Sequence, residues 1–371
     1  MKVTRIILYS VPLDIAMNLT RYVSDQVIHP TLDTLVVKID TDSGLTGWGE
    51  ACYAPPYYLP ELSASAQGGV IHVAPLILGQ DPRQIRGLNY KIQQALRGHG
   101  SAKSALDMAL WDICAKAAEQ PLCDLWGGRV SESIPVFAVV PIGSSNETAQ
   151  CLAHYRAMGY SRFQIKVAAR GIENDVTTIR DIMAIALPHE RVWFDPNRGW
   201  LVDDAMRVIS AVRDLSPMIE NPCESYEECR LVARRTGIPF MLDETIDSAQ
   251  RFIQAVMDGV MDVASLKLNT FGGLSKLRSL CDLGVELGVP MRIENYGGTG
   301  ILLAAVTHLA QTLPERNVFG LFDYVTADQT LVRNPLKVVS GRIGLDSACA
   351  PGLGVDIDEA VLGQPIATLS I

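Results

Sequence analysis

No two of the eight cysteines stand in a CxxC spacing. Cys52, Cys114, Cys123, Cys151, Cys223, Cys229, Cys281 and Cys349 are scattered along 371 residues. That speaks against a thiolate metal motif and predicts reduced, mostly buried small hydrophobes in a cytoplasmic protein. Long apolar runs are missing too. No stretch reaches the roughly 18 apolar residues of a membrane span. Ile6–Tyr9, after Lys2-Val-Thr-Arg5, is too short for a signal segment. Basic residues are in the minority, 32 Lys and Arg against 41 Asp and Glu, for a formal net charge of −9. That balance argues against nucleic acid as a partner, but not against an anionic substrate, because a bound metal inverts local charge. Phosphate-cradling loops are also absent: no GxGxxG or GxxxxGKS/T follows a strand candidate. This disfavours a doubly wound open sheet.

What is present is enough apolar residue, 48%, for a sizeable core. In the first 130 residues, Leu35–Asp40 reads as a strand, Asp40–Gly44 as a turn, and Leu45–Ala51 as the returning strand of a hairpin. A Pro- and Tyr-rich loop, Ala54–Pro60, follows. Over Lys103–Ala118 the residues Ala105, Ala109, Ile113 and Ala117 recur every four positions. That pattern predicts a helix with a stripe of mostly small residues suited to close packing.

From Ile134 the rhythm changes. Eight short apolar runs begin at Pro135, Phe163, Arg191, Met218, Pro239, Val263, Pro290 and Val318, with helical patterns between them. The starts lie about 20–30 residues apart, the size of a βα unit. The expectation is an α/β fold: a (β/α)7-8 TIM-like barrel over residues 131–323. Residues 1–130 would form an α+β capping domain, and the tail, 324–371, would return to it.

The ionisable residues carry the functional signal. Strands of a barrel should be nearly all apolar. Yet Lys166, Asp195, Glu220, Asp243, Lys267 and Glu294 stand at or beside the C-terminal ends of six runs, and Asp323 ends another. That end of a barrel is its catalytic face. Asp195, Glu220 and Asp243 are 25 and 23 residues apart, one unit each. Neighbouring strands bring such carboxylates about 5 Å apart in the pairing direction. Three anions that close need a counter-charge, and a hard divalent cation such as Mg2+, with Mn2+ as a substitute, suits oxygen ligands. Lys166 and Lys267 fall on the second and sixth strands, opposite sides of an eight-stranded ring.

Removing the weakly acidic proton α to a carboxylate needs a metal that neutralises the enediolate and a base. Two lysines on opposite faces allow removal on one side and return on the other, which is racemisation or epimerisation. With a leaving group on the β-carbon the same apparatus gives elimination. A Schiff-base lysine and a binding protein without catalysis are the competing readings.

The sequence resembles the enolase superfamily, in its mandelate racemase/muconate lactonizing enzyme group. The resemblance rests on Gly44-Leu-Thr-Gly-Trp-Gly-Glu50, Ala102–Asp112 and Leu125-Trp-Gly-Gly128 in the first domain. In the barrel it rests on Gln164-Ile-Lys166, Asp195-Pro-Asn197, Glu220-Asn-Pro222, Asp243-Glu244 and Lys267–Gly273. It implies Lys166 and Lys267 as the acid–base pair and Asp195, Glu220 and Asp243 as metal ligands, with Glu244 an alternative to Asp243. Gln164 replaces the first lysine of the family's Lys-x-Lys motif. Together with Asn197-Arg-Gly-Trp200, that glutamine is similar to a subset acting on proline betaine and hydroxyproline betaine. The implied activity is epimerisation of such a substrate. Dehydration of a cis-3-hydroxyproline-like amino acid or a sugar acid, or cycloisomerisation, uses the same parts. Tyr57 and its neighbours Tyr53 and Tyr58, with Tyr296, would cage a cationic nitrogen, and Glu294 would add charge. The resemblance also implies a homo-oligomer, a dimer or an octamer.

Overall fold

The computed structural model describes residues 1–14, 31–53, 61–322 and 331–371. The first strands, β1 (Val3–Asp14), β2 (Thr31–Thr41) and β3 (Thr46–Cys52), form an antiparallel sheet. The hairpin closes where the turn signal stands, with Asp40 opposite Thr46 and Gly44 at φ +81°. The small-residue stripe finds its partner in β3. Helix Gly100–Ala117 lies so close that a Cβ on Gly47 would come within 2.2 Å of the Ala109 carbonyl oxygen, and one on Gly49 within 1.9 Å of that of Ala105. Two glycines in the strand and two alanines on the helix thus set one close approach.

Eight parallel strands follow: β4 (Ile134–Val140), β5 (Arg162–Lys166), β6 (Arg191–Asp195), β7 (Met218–Glu220), β8 (Phe240–Leu242), β9 (Val263–Lys267), β10 (Met291–Glu294) and β11 (Val318–Phe322). Each pairs with the next, and β11 pairs back onto β4, so the sheet closes into a barrel with helices outside. All eight strand candidates are realised. Two short strands end the chain. β12 (Arg342–Ile343) pairs antiparallel with β4, and β13 (Ala367–Ser370) pairs with β1 at the edge of the first sheet. The chain's end therefore returns to the sheet its beginning built.

Alternation along the barrel strands sorts the side chains into two sets. Phe163, Ile165, Phe194 and Ile219 join the large apolar cluster that includes the outer helices. Phe137, Val139, Trp193, Met241, Val263 and Phe319 form a separate small cluster, which plugs the barrel's interior. Among the described residues no helix is long and apolar enough to cross a membrane.

Candidate active site

The charged residues emerge where their strands finish. Lys166 and Asp195 end β5 and β6 as partners in register. Lys267 and Glu294 end β9 and β10 in the same relation. Glu220 ends β7, and Asp243 follows β8 directly. All six are buried, none more than 5% exposed. The barrel thus gathers every strand-end group singled out in the sequence except Asp323, which lies outside the described residues.

Each candidate metal ligand leans on a basic group. Lys166 Nζ donates to Asp195 Oδ2 at 2.5 Å and to Asn197 Oδ1 at 2.8 Å. Lys267 is paired with both oxygens of Asp243, and with Glu294 Oε1 at 3.2 Å. Arg292 grips Glu220 at 2.5 and 2.8 Å. Burial disfavours the Lys267 ammonium, but Asp243 and Glu294 outweigh it and hold the pKa well above the ordinary lysine value. Burial likewise opposes the Asp243 carboxylate, and Lys267 and Arg292 outweigh it and pull its pKa below the usual range. For Glu220 burial wins, helped by the charges of Asp195 and Asp243, and the pKa is raised despite Arg292.

Local loops hold these groups in place. After β6, Asn197 and Arg198 adopt φ +46° and +66°, a left-handed turn that non-glycine residues seldom take. The turn lets the Asn197 backbone N–H donate to Asp195 Oδ1 at 2.8 Å, and its side chain donate to Glu244 Oε1 at 3.2 Å. After β7, Asn221 Oδ1 accepts the backbone N–H of Asp243 and of Thr245, each at 3.2 Å. Gln164 Nε2 bridges two carboxylates, donating to Asp195 Oδ2 at 3.0 Å and Glu220 Oε2 at 2.7 Å.

The donor chemistry fits a hard divalent cation. Asp195 and Glu220 share one donor nitrogen on Gln164, and Glu220 and Asp243 share Nη2 of Arg292. The buried set places the carboxyl groups of Asp195, Glu220, Asp243 and Glu294 beside the cationic side chains Lys166, Lys267 and Arg292. Among the described residues no three acidic, His or Cys side chains converge as a ready ligand group. The carboxylates instead face basic groups: Asp195 faces Lys166, while Glu220, Asp243 and Glu294 share Arg292, and Asp243 and Glu294 share Lys267.

A cavity of about 550 Å³ opens beside this cluster, between the first domain and the barrel mouth. Its walls include Lys267, Asp243, Glu244, Asn269 and Tyr296 from the barrel, and Glu61 and His99 from the cap. The Tyr296 ring centroid lies 5.2 Å from Lys267 Nζ, and its hydroxyl is 3.0 Å from Thr270 Oγ1. Glu294 faces inward, accepting from Ser265 Oγ at 3.1 Å and pairing with Arg292 at 2.9 Å. Tyr57 lies outside the described residues.

Sequence reasoning missed Arg292, Trp193 and Ser265. Trp193 Nε1 donates to Glu220 Oε2 at 2.7 Å. The signal was there for Arg292: it stands two residues before Glu294 on one strand, so the alternation that turns one inward turns both.

A closed parallel barrel under an antiparallel cap, with lysines and carboxylates at its C-terminal mouth, defines a class of capped barrel proteins. Residues 12–127 match the mandelate racemase/muconate lactonizing enzyme N-terminal domain, and residues 147–361 match the enolase C-terminal domain-like family. The chain belongs to the enolase superfamily, in the mandelate racemase/muconate lactonizing enzyme group. It is 34% identical to a cis-3-hydroxy-L-proline dehydratase of Roseibium aggregatum, over 100% of both chains. It is 25% identical to an N-succinyl-L-Arg/Lys racemase of Bacillus cereus, over 98% of both. An enolase-superfamily crystal structure from Roseovarius nubinhibens, complexed with magnesium, superposes with a TM-score of 0.93 at 33% identity, covering 100% of both chains.

Proposed function

We propose that the protein removes the proton α to the carboxylate of an amino-acid-derived substrate in a Mg2+-dependent reaction, with Lys166 and Lys267 as the acid–base pair. The observation that carries this reading is their placement. They end β5 and β9, four strands apart in a ring of eight, each held against a carboxylate. Asp195, Glu220 and Asp243 would hold the metal, with Asp243 favoured over Glu244 because it shares Nη2 of Arg292 with Glu220. Held there, Mg2+ would supply positive charge for the enediolate. One lysine takes the α-proton and the other returns one to the opposite face, so the first outcome proposed is racemisation or epimerisation.

The substrate class is a proline-like amino acid or betaine with a cationic nitrogen. The aromatic face of Tyr296, whose ring centroid lies 5.2 Å from an ammonium, supports this. A second reading is dehydration of a 3-hydroxyproline-type substrate, supported by the full-length dehydratase relative. There one lysine removes the α-proton, and the hydroxyl of the neighbouring carbon takes a proton from a lysine ammonium and leaves as water.

Incubation in D2O with Mg2+ and a panel of proline betaines and hydroxyprolines tests both. α-Deuterium exchange with optical inversion supports epimerisation. A cyclic imine or keto product with loss of water supports dehydration. No exchange and no product across the panel rejects the proposed substrate class.

A further inference from the structure

We propose that Arg292 is a positioning residue for the metal-binding carboxylates, a fixed cation in the barrel interior that sets where Glu220 and Asp243 hold their oxygens. The inference rests on the reading of those two residues as metal ligands. Arg292 is fully buried, 0% exposed. Its guanidinium takes Glu220 in a two-point fork, Nη1 to Oε2 at 2.8 Å and Nη2 to Oε1 at 2.5 Å. The same Nη2 reaches Asp243 Oδ2 at 3.2 Å. Ser265 Oγ accepts from Nε at 3.1 Å and from Nη2 at 2.8 Å, which anchors the fork from the neighbouring strand. Below it lie the rings of Phe137 and Trp193, with centroids 5.2 and 6.0 Å from Cζ.

This arrangement suits arginine and not lysine. The planar fork fixes both oxygens of Glu220, stacks on aromatic rings, and stays charged at any working pH. A lysine would offer a point charge and no fixed direction. Arg292 also ties together carboxylates from two adjacent strands, β7 and the end of β8, so it sets their spacing as well as their charge balance.

The two roles predict opposite signs. If Arg292 only balanced charge, removing it would leave the cluster more negative and tighten Mg2+ binding. If it positions the oxygens, removing it weakens binding, by about 10–100-fold on the general cost of losing a partner that orients a ligand. Mg2+ affinity is measured by calorimetry, without substrate, on wild type, Arg292→Met, Arg292→Lys, Ser265→Ala and Glu220→Gln, with circular dichroism as the folding check. Weaker binding is expected in Arg292→Met and also in Arg292→Lys, which keeps the charge and loses the fork. Unchanged or tighter binding in Arg292→Met, with Glu220→Gln weakened, overturns the positioning role and leaves the ligand reading intact. Unchanged binding in Glu220→Gln rejects the ligand reading itself. Should Arg292→Met not fold, Arg292→Lys decides. Should neither fold, Ser265→Ala decides, because it leaves the arginine present and removes its anchor: several-fold weaker binding supports the role and wild-type affinity overturns it.

Discussion

Glu50, in β3 of the first sheet, caps helix Gly300–Gln311 of the barrel. Its carboxylate accepts the backbone N–H groups of Thr299 and Leu302 at 2.8 and 3.0 Å. The Thr299 and Thr34 hydroxyls donate to it at 2.7 and 2.8 Å. Glu50 thus meets orphan donors and the positive end of a helix dipole at once. That helix follows the segment carrying Glu294 and Tyr296, so a cap residue steadies one wall of the site. Glu50→Gln puts an amide NH2 where an acceptor stood and leaves buried donors unmatched. The expected loss is about 2–4 kcal/mol of unfolding free energy, read by urea denaturation. A loss within the roughly 0.5 kcal/mol typical of surface changes contradicts the capping role.

The approach of β3 to helix Gly100–Ala117 sets a steric limit. A Cβ at Gly49 meets the Ala105 carbonyl oxygen at 1.9 Å, and that atom is backbone, with no flexible side chain to yield. Gly49→Ala must push the helix off the sheet. The expected cost is about 3 kcal/mol or more, seen as a lower Tm. Gly68, whose added Cβ meets nothing within 4 Å, is the control: Gly68→Ala should be neutral or stabilising, since it lies within helix Ser63–Val73.

His308 makes stability depend on pH. It is fully buried in helix Gly300–Gln311, and its Nδ1 accepts the Cys123 backbone N–H at 3.1 Å. Burial lowers its pKa to about 4 from 6.5. The neutral form is therefore the folded form. Above pH 6.5 neither state takes up a proton and the contribution is full. As pH falls from 6.5 toward 4 the unfolded chain binds a proton that the folded chain refuses, and stability is lost, by on the order of 3 kcal/mol in all. His308→Asn keeps an acceptor for Cys123 without a titrating ring. Unfolding free energies at pH 7 and pH 4.5 should fall less steeply in the variant than in wild type; equal slopes reject this assignment.

The barrel was legible because its strands are short apolar runs at near-regular spacing, each bounded by a charged or turn residue. The gathering of Lys166, Asp195, Glu220, Asp243, Lys267 and Glu294 into one candidate site was legible for the same reason: they break the apolar rule at strand ends. Arg292 was not, because it sits inside its run, where a charge reads as noise until the barrel closes and supplies Glu220 from three strands away. The tyrosine cage shows the opposite limit. Tyr296 does face a cation, but that cation is Lys267 of the protein itself, and only the folded register reveals it. Glu294 was expected to meet a substrate cation. The structure gives it Lys267, Arg292 and Ser265 first, contacts that no spacing along the chain announces.

The lysine pair yields the sharpest chemical prediction. If Lys166 and Lys267 serve opposite faces of the α-carbon, each variant should lose exchange with one stereoisomer and keep it with the other. Lys166→Ala and Lys267→Ala are each expected to lower α-proton exchange for one enantiomer by about 10²–10⁴-fold, the usual contribution of a positioned base. The other enantiomer should still exchange its α-proton without inverting. Chelation of Mg2+ should stop exchange from both, since the enediolate then lacks its counter-charge. Proton NMR in D2O, run separately on each enantiomer, reads all three. Equal loss from both enantiomers in both variants argues against two faces. Lys267 has the harder task, because Asp243 and Glu294 hold its proton. Asp243→Asn should weaken Mg2+ retention and so lower exchange from both enantiomers, whereas Asn197→Ala, which removes the 2.8 Å contact to Lys166 and the 3.2 Å contact to Glu244, should lower exchange chiefly on the Lys166 face.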